Sequence, residues 1–233
     1  MCKKSIIVIV TFMLVFFTST GFTADKYHWK LAGTEDGCQI YTSDVAGKDY
    51  IAARTTCLIP VRLEVIATVL KDIPNFPEWM YDCKETKILK TVDDDKDVYI
   101  FWLRQNFNPL TDRDMVLKSK TIFNPQNGTN LVYAESTKES SYDAGKGYIR
   151  MPSFYSLWTL QRVNRENTRV TFMIDPDLGS GVPSGIANIR IKNIPVESLK
   201  KMMKMVKNPK YVEAAKKSKY SKFAEDYAKS GNK

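Results

Sequence analysis

Metal ligands and nucleophilic side chains are scarce in this chain. Its 233 residues include one histidine, His28, and four cysteines, which are not clustered at the spacing of a zinc-binding motif. A hydrolase triad needs a histidine base, and His28 lies between Tyr27 and Trp29, where packing is the simpler explanation. The acidic run 93–95 lacks the alternating ligands of a calcium loop. We therefore predict no catalytic residue, no metal site and no cofactor. The 26 acidic residues leave a paired-carboxylate hydrolase as an open alternative, with no particular pair singled out.

The chain also lacks a long hydrophobic run. Its most apolar stretch, residues 6–17, is shorter than the roughly 20 residues of a membrane-spanning helix. Two lysines precede this stretch, and the small residues of 19–21 follow it, with Ala24 as a second candidate cleavage site. This order is typical of a secretory signal peptide, which we assign to residues 1–24, with an uncleaved anchor as the alternative. We therefore expect a periplasmic or secreted protein.

Positive charge is concentrated at one end of the chain. Residues 200–233 contain eleven lysines and three acidic side chains, hence +8 of the net charge of +9, and the two lysines near the N-terminus add +2. The rest of the chain is therefore nearly neutral, which argues against nucleic acid as a partner. Three cysteines follow the signal segment, at 38, 57 and 83. We interpret them as buried apolar side chains, with a disulfide between Cys38 and Cys57 as the alternative in an oxidising compartment.

Hydrophobic periodicity predicts an α+β chain. It indicates two strands before Pro60, a helix beginning there, a long antiparallel meander over 85–174, and a final helix over Pro195–Lys207. A strongly curved sheet with a helix laid across it cannot fill its own concave side. Either large side chains or a ligand must therefore occupy that space.

The stretch MIDPDLGSGVPSGIANIRI, residues 173–191, looks at first like a phosphate-binding loop. A dinucleotide fingerprint requires a helix directly after the glycines, whereas residues 186–195 look more strand-like or irregular than helical. We interpret the stretch as a shaped loop and a hinge for a lid. Two of its glycines permit positive φ, a proline fixes a bend and an aspartate binds nearby backbone N–H groups: Gly179, Gly181, Pro183 and Asp175.

Three segments together resemble the START domain, the steroidogenic-acute-regulatory-protein-related lipid-transfer family. NPLTDRDMVL, residues 108–117, is similar to the family's Pro-x-x-x-Arg-Asp-Φ-Val signature, and IDPDLGSGVPSGIAN, residues 174–188, is similar to its Gly-rich segment. WKLAGTEDGCQIYTS, residues 29–43, is similar to its opening segment. The resemblance covers roughly residues 27–207, and we assign a START-like domain to 25–207.

The resemblance implies a helix-grip fold, in which a curved antiparallel β-sheet wraps around a long C-terminal helix and encloses an internal hydrophobic cavity for one lipid. It implies a gate made by the final helix and by the loop 106–110. We expect Arg113 and Asp114 to form a structural ion pair that pins the adjacent loop and not to contact the ligand. Ser119 stands where some sterol-binding members carry a basic residue, and the place of its acidic partner, near Ile100, is apolar.

Strand alternation and the resemblance together suggest which side chains face the ligand. Arg104 or Arg150 would meet an anionic or hydroxylated head group. The complete set of candidate lipid-binding residues is Trp102, Arg104, Met115, Leu117, Ser119, Arg150, Phe172, Ile174, Met202, Met203 and Val206.

The basic tail, residues 208–233, continues beyond the resemblance. Tyr220, Phe223 and Tyr227 fall on one helical face among lysines, a pattern typical of an element that binds an anionic membrane surface, with a solvated tail as the alternative. We therefore expect a monomeric, non-enzymatic lipid-binding and transfer protein associated peripherally with membranes. The rival hypotheses are a small-molecule enzyme on the same scaffold, similar to aromatic polyketide cyclases, and a ligand sensor.

Overall fold

A computed structural model describes residues 26–143 and 145–229. The predicted signal peptide, residues 1–24, lies outside these residues. Within them, no helix is long and apolar enough to span a bilayer. The described helices are α1 (Leu63–Lys71), α2 (Phe76–Trp79), α3 (Ser184–Met205), α4 (Pro209–Lys216) and α5 (Lys219–Lys229).

The strands of the described residues form one curved sheet. They are β1 (Lys30–Glu35), β2 (Cys38–Ser43), β3 (Ala52–Ile59), β4 (Cys83–Asp93), β5 (Val98–Gln105), β6 (Asp112–Asn124), β7 (Thr129–Ser136), β8 (Tyr148–Arg150), β9 (Ser153–Arg162) and β10 (Thr168–Asp177). Their order is β1-β2-β3-β10-β9-β7-β6-β5-β4, all antiparallel, while β8 runs parallel to the first residues of β6. The main core lies between one face of this sheet and the helices, which confirms the predicted α+β, helix-grip architecture.

The long helix α3 begins eleven residues before the predicted start at Pro195, so the interpretation of residues 186–195 as strand-like or irregular was wrong. Pro195 lies inside the helix, where its ring nitrogen leaves one carbonyl of the preceding turn without a donor. Packing outweighs this loss. Most buried residues of α3 are apolar, and five of them recur at helical spacing and form one face against the sheet: Ala187, Ile191, Ile194, Leu199 and Met202.

The C-terminal segment is part of the folded body rather than a separate tail. Tyr211, Ala215 and Tyr220 are buried in the main core, so the predicted boundary between 207 and 208 does not separate two structural units. α4 and α5 both pack against α1. The predicted aromatic face of the tail exists, but it faces the protein: the rings of Phe223 and Phe123 stack with centroids 4.5 Å apart.

Cys38 and Cys57 form a disulfide, which corrects the interpretation of all three cysteines as free buried side chains. The pairing of Gln39 with Thr56 places the two cysteines opposite each other on β2 and β3, with Cα atoms 4.4 Å apart. Cys83 is buried and free.

Candidate ligand-binding cavity

A cavity lies between the concave face of the sheet and the helices. β5 and β6 supply one wall through alternate residues, because alternate side chains of a strand point to the same face: Tyr99, Phe101, Leu103, Gln105, Met115, Leu117, Ser119 and Thr121. Ile194 of α3 contributes from the helical side. The space between these walls that no atom fills, including its opening to solvent, has a volume of about 810 Å³. The centre of a water molecule fits into only about 60 Å³ of this space. The cavity is therefore a narrow apolar crevice.

Aromatic side chains make the cavity narrow. Trp158 and Phe172 stack with ring centroids 3.7 Å apart, and Trp79 packs edge-on against Trp158 at 5.7 Å. The concave side is thus filled partly by large side chains and partly by free space. A bulky guest can enter only if these rings rotate or the helices separate from the sheet.

Four of the candidate lipid-binding residues lie on the cavity wall. They are Met115, Leu117, Ser119 and Phe172. Ile174, on the same face of β10 as Phe172, is fully buried in the adjoining core without lining the cavity. The roles of these side chains as ligand contacts stay predictions.

Trp102, Arg104 and Arg150 do not face the cavity, which corrects their assignment. On β5, Tyr99, Phe101 and Leu103 point inward, so Ile100, Trp102 and Arg104 lie on the opposite face.

Their polar atoms are bonded to partners on that outer face. The indole Nε1 of Trp102 donates to Asp114 Oδ2 at 2.8 Å, and Arg150 donates to both oxygens of Asp114 at 3.0 and 2.7 Å. Arg104 donates to Asp112 at 2.8 Å. These charges support the sheet and leave no free head-group contact.

The helical candidates were placed too far along the chain. Met202 and Val206 are buried in the core, and Met203 is half-buried against it, but none of them lines the cavity. Because α3 begins earlier than predicted, Ile194, two turns before Met202, is the α3 residue on the wall within the described part of the chain.

Arg113 fixes the glycine-rich loop. Its side chain is fully buried and donates to the carbonyl oxygens of Leu178 at 3.3 Å and Ser180 at 3.1 Å. It does not pair with Asp114, because neighbouring residues of a strand point to opposite faces. Arg113 thus holds the loop without Asp114, together with the hydroxyl of Tyr50, which donates to the carbonyl oxygen of Gly179 at 2.9 Å. The expectation of an ion pair between Arg113 and Asp114 was wrong.

The loop takes the conformation that its glycines permit. Gly179 and Gly181 have φ of 72° and 80°, in the left-handed region that favours glycine. Asp177 Oδ1 accepts a hydrogen bond from the N–H of Gly179 at 3.0 Å. Pro183 immediately precedes the first residue of α3 as its N-cap.

Asp175 binds side chains and not the backbone N–H groups that were expected. Its carboxylate accepts from Lys26 and Lys48, each at 2.6 Å, and from the hydroxyl of Tyr27 at 2.8 Å. Burial alone would raise the pKa of Asp175, but the hydrogen bonds from Lys26, Lys48 and Tyr27 outweigh it and hold this pKa below 3.8. The cluster ties the N-terminal segment and the β2–β3 connection to β10.

Sequence reasoning missed Arg190, which joins α3 to the loop after β5. It donates to Asp82 Oδ2 and to the carbonyl oxygen of Asn106, both at 2.6 Å, and to the carbonyl of Asn108 at 3.4 Å. Its guanidinium also lies 4.6 Å from the centroid of the Phe107 ring. We call this set the Arg190 latch. The prediction that residues 186–195 are strand-like or irregular provided no helix face on which Arg190 could reach another element.

The cavity has a polar end opposite the latch. Lys71 and Asp97 line it there, and Tyr99 pairs with Ser119 across β5 and β6. Lys71 Nζ lies 3.1 Å from Asp97 Oδ1. Sequence reasoning did not single out Asp97, because its contact with Lys71 joins residues distant in sequence.

The comparisons with known proteins agree with this architecture. A family model of the START domain matches residues 18–211. An uncharacterised protein of Pseudomonas aeruginosa is 30% identical over 176 residues, which are 74% of this chain and 83% of that protein. The chain therefore belongs to the START domain family.

Solved structures show the same fold. The STAR-related lipid transfer protein from Xanthomonas axonopodis superimposes with a TM-score of 0.69 and 24% identity, covering 77% of this chain and 99% of that chain. Human STARD10 gives a TM-score of 0.69 and 17% identity, covering 80% of this chain and 76% of that chain. The fold is consistent with binding of a hydrophobic ligand and with lipid transfer.

Proposed function

We propose that this protein binds one lipid through its apolar chain in the cavity and transfers it between membranes or to a partner, without chemical conversion. The observation that supports this most directly is the apolar cavity between the sheet and α3, with Ile194 on its helical wall. Exposing an acyl chain to water costs about 0.8 kcal/mol per CH₂. A carrier removes this barrier because it keeps the chain in apolar surroundings throughout transfer.

The narrowness of the crevice bears on how the lipid binds. Ligand sites commonly enclose about 300–1,000 Å³, far more than water can reach here. We therefore propose that the walls separate on binding and that the aromatic cluster of Trp79, Trp158 and Phe172 rearranges around the guest. A thin acyl chain requires less widening than a fused ring system.

Entry at the end held by the Arg190 latch follows from the arrangement of α3. Ile186 and Ile189 are 49% and 60% exposed on this helix, and Leu110 of the adjoining loop is half-buried. We propose that this side meets the membrane. The aromatic face of α5 is occupied by internal packing, so among the described residues the tail offers an anionic leaflet its exposed lysines, Lys210, Lys216, Lys217, Lys222 and Lys229.

We propose a periplasmic or secreted location. The signal-like segment at residues 1–24 supports it. The disulfide between Cys38 and Cys57 adds support, because such bonds persist mainly in oxidising compartments.

Transfer of a fluorescent acyl lipid between vesicles tests the proposal, with two matched variants of α3. Ile194→Trp fills the cavity from the helix, whereas Lys204→Trp places the same ring at an exposed position of α3 ten residues away, outside the cavity lining. We expect Ile194→Trp to abolish transfer and Lys204→Trp to retain it, with folding of both checked by circular dichroism. Wild-type transfer by folded Ile194→Trp, or no transfer by the wild type, would contradict the proposal. Mass spectrometry of the recovered lipid separates a carrier, which leaves the lipid unchanged, from an enzyme.

A further inference from the structure

The C-terminal helix α5 lies at the polar end of the cavity. β5 runs from this end towards the Arg190 latch and β6 runs back, so the β4–β5 and β6–β7 connections both lie at the polar end. α5 contacts both. Lys219 Nζ donates to the carbonyl oxygen of Asp95 at 2.6 Å, in the first connection. Phe223 stacks on Phe123, which precedes the second.

One side chain joins α5 directly to the cavity wall. Asp97 lines the cavity and is 3% exposed, and its carboxylate accepts a hydrogen bond from the hydroxyl of Tyr220 and contacts Lys219 Nζ at 2.8 Å. Tyr220 itself is 4% exposed. A single layer, the side chain of Asp97, therefore separates the cavity from α5. Lys71, which also lines the cavity, has 35% of its side chain exposed, so this end approaches the surface beside α5.

α5 lies beyond the part of the chain that matches the START family model, and it is held in place by contacts with the rest of the protein. The family model ends at residue 211, before α5 begins. The helix has 11 residues, and isolated helices shorter than about 12–15 residues are marginal in water. Its position thus depends on contacts with the body. Besides those of Lys219, Tyr220 and Phe223, these include a hydrogen bond from Arg162 to the carbonyl oxygen of Ala224 at 2.9 Å. Loss of a few contacts can release the helix without unfolding the sheet.

We propose that α5 is a second lid, which closes an opening of the cavity at its polar end, opposite the gate held by Arg190. Release of Tyr220 and Lys219 from Asp97 opens this end to solvent and gives the polar group of a bound lipid a route that does not pass α3. The second lid depends on one part of the proposed function, namely that the cavity binds an acyl chain. It gives the segment after residue 211 a role in setting the rate at which the ligand enters and leaves.

Two matched Tyr→Phe variants test the second lid. Tyr220→Phe removes the hydroxyl that binds Asp97 at the cavity wall. Tyr211→Phe removes a similar hydroxyl on α4, which binds Asp72 at 3.0 Å, and neither Tyr211 nor Asp72 lines the cavity. Uptake of a fluorescent long-chain fatty acid is followed by stopped-flow mixing. We expect Tyr220→Phe to accelerate uptake and release roughly tenfold, the factor for one hydrogen bond to a charged group, and Tyr211→Phe to leave both rates near wild type.

A covalent clamp makes the test independent of destabilisation. Phe123→Cys and Phe223→Cys, joined by a short bismaleimide in a background of Cys2→Ser and Cys83→Ala, hold α5 on the sheet. The clamped protein should lose the acceleration caused by Tyr220→Phe. Equal rates in wild type, Tyr220→Phe and the clamped protein, with unchanged equilibrium affinity for the probe, would overturn the second lid and leave the carrier function standing. Absence of probe binding by the wild type would overturn both.

Discussion

Replacing Arg190 by alanine should open the gate at α3. The guanidinium is 20% exposed and Asp82 is 15% exposed, so the pair is largely shielded from water. The variant loses this ion pair, the hydrogen bonds to the carbonyls of Asn106 and Asn108 and the contact with Phe107. Loss of such a set costs about 2–3 kcal/mol, so the open population should rise roughly 30- to 150-fold.

The carboxylate of Asp82 determines how a second variant of the latch, Asp82→Asn, should behave. Burial raises the pKa of Asp82, and Arg190 only partly offsets this effect. Arg190→Ala therefore leaves a poorly solvated carboxylate, whereas Asp82→Asn removes the charge and leaves Arg190 its two carbonyl acceptors. We expect Asp82→Asn to open the gate less than Arg190→Ala. Because a raised pKa means that the closed state binds a proton more tightly than an open, solvated Asp82, mild acid should favour closure in the wild type.

Cys83 provides the assay for this gate. It lines the cavity and lies opposite Gln105 at the end of β5 near the latch, and burial raises the pKa of its thiol to about 12. Maleimide should therefore label it only when the gate opens, and the labelling rate should follow the open population. In a Cys2→Ser background, Cys83 should be labelled roughly 30- to 150-fold faster in Arg190→Ala than in the wild type. Lys192→Ala, a substitution on the same helix, should be labelled at the wild-type rate. Unchanged labelling in folded Arg190→Ala would refute the latch.

Three further predictions concern stability. Reduction of the Cys38–Cys57 disulfide, which spans 19 residues, should lower the free energy of unfolding by about 3 kcal/mol, measured by urea titration with and without reductant; an unchanged midpoint would contradict it. The lowered pKa of Asp175 contributes stability that is present above the unfolded value near 4 and is lost as pH falls through the native pKa. Asp175→Asn should therefore lower stability at neutral pH and flatten its decline in acid. Arg113→Lys, which cannot reach both carbonyls of the glycine loop with one ammonium group, should lower the melting temperature without changing the cavity wall.

The side chains of β6 that face the cavity could be predicted from the sequence, whereas those of β5 could not. Met115, Leu117 and Ser119 alternate with a second set of residues, so period 2 fixed them as one group, and the START resemblance assigned that group to the cavity. On β5 nearly every residue is buried on one side or the other. Apolar pattern therefore does not distinguish its faces, and Trp102 and Arg104 were assigned to the wrong one.

The first residue of α3 could not be predicted from the local sequence pattern. Pro195 usually marks a helix start, and the residues before it, including Asn188 and Arg190, interrupt a simple apolar pattern. In the structure these polar residues have partners on other elements: Asn188 accepts from the N–H of Ile51 at 3.1 Å, and Arg190 reaches Asp82. The early start of α3 and the Arg190 latch could therefore not be predicted, although the resemblance did imply a gate between the final helix and the loop 106–110.

By itself the sequence determined the α+β class, the freedom of Gly179 and Gly181 to take positive φ and the grouping of Met115, Leu117 and Ser119 on one face of β6. These features depend on residue type and on short periodicities, which act between neighbours in the chain. Only the tertiary structure decided the disulfide, the Arg190 latch and the docking of Tyr220 on Asp97. Each of these joins elements that hydrophobic burial brings together around the cavity, and a list of residues does not contain those distances.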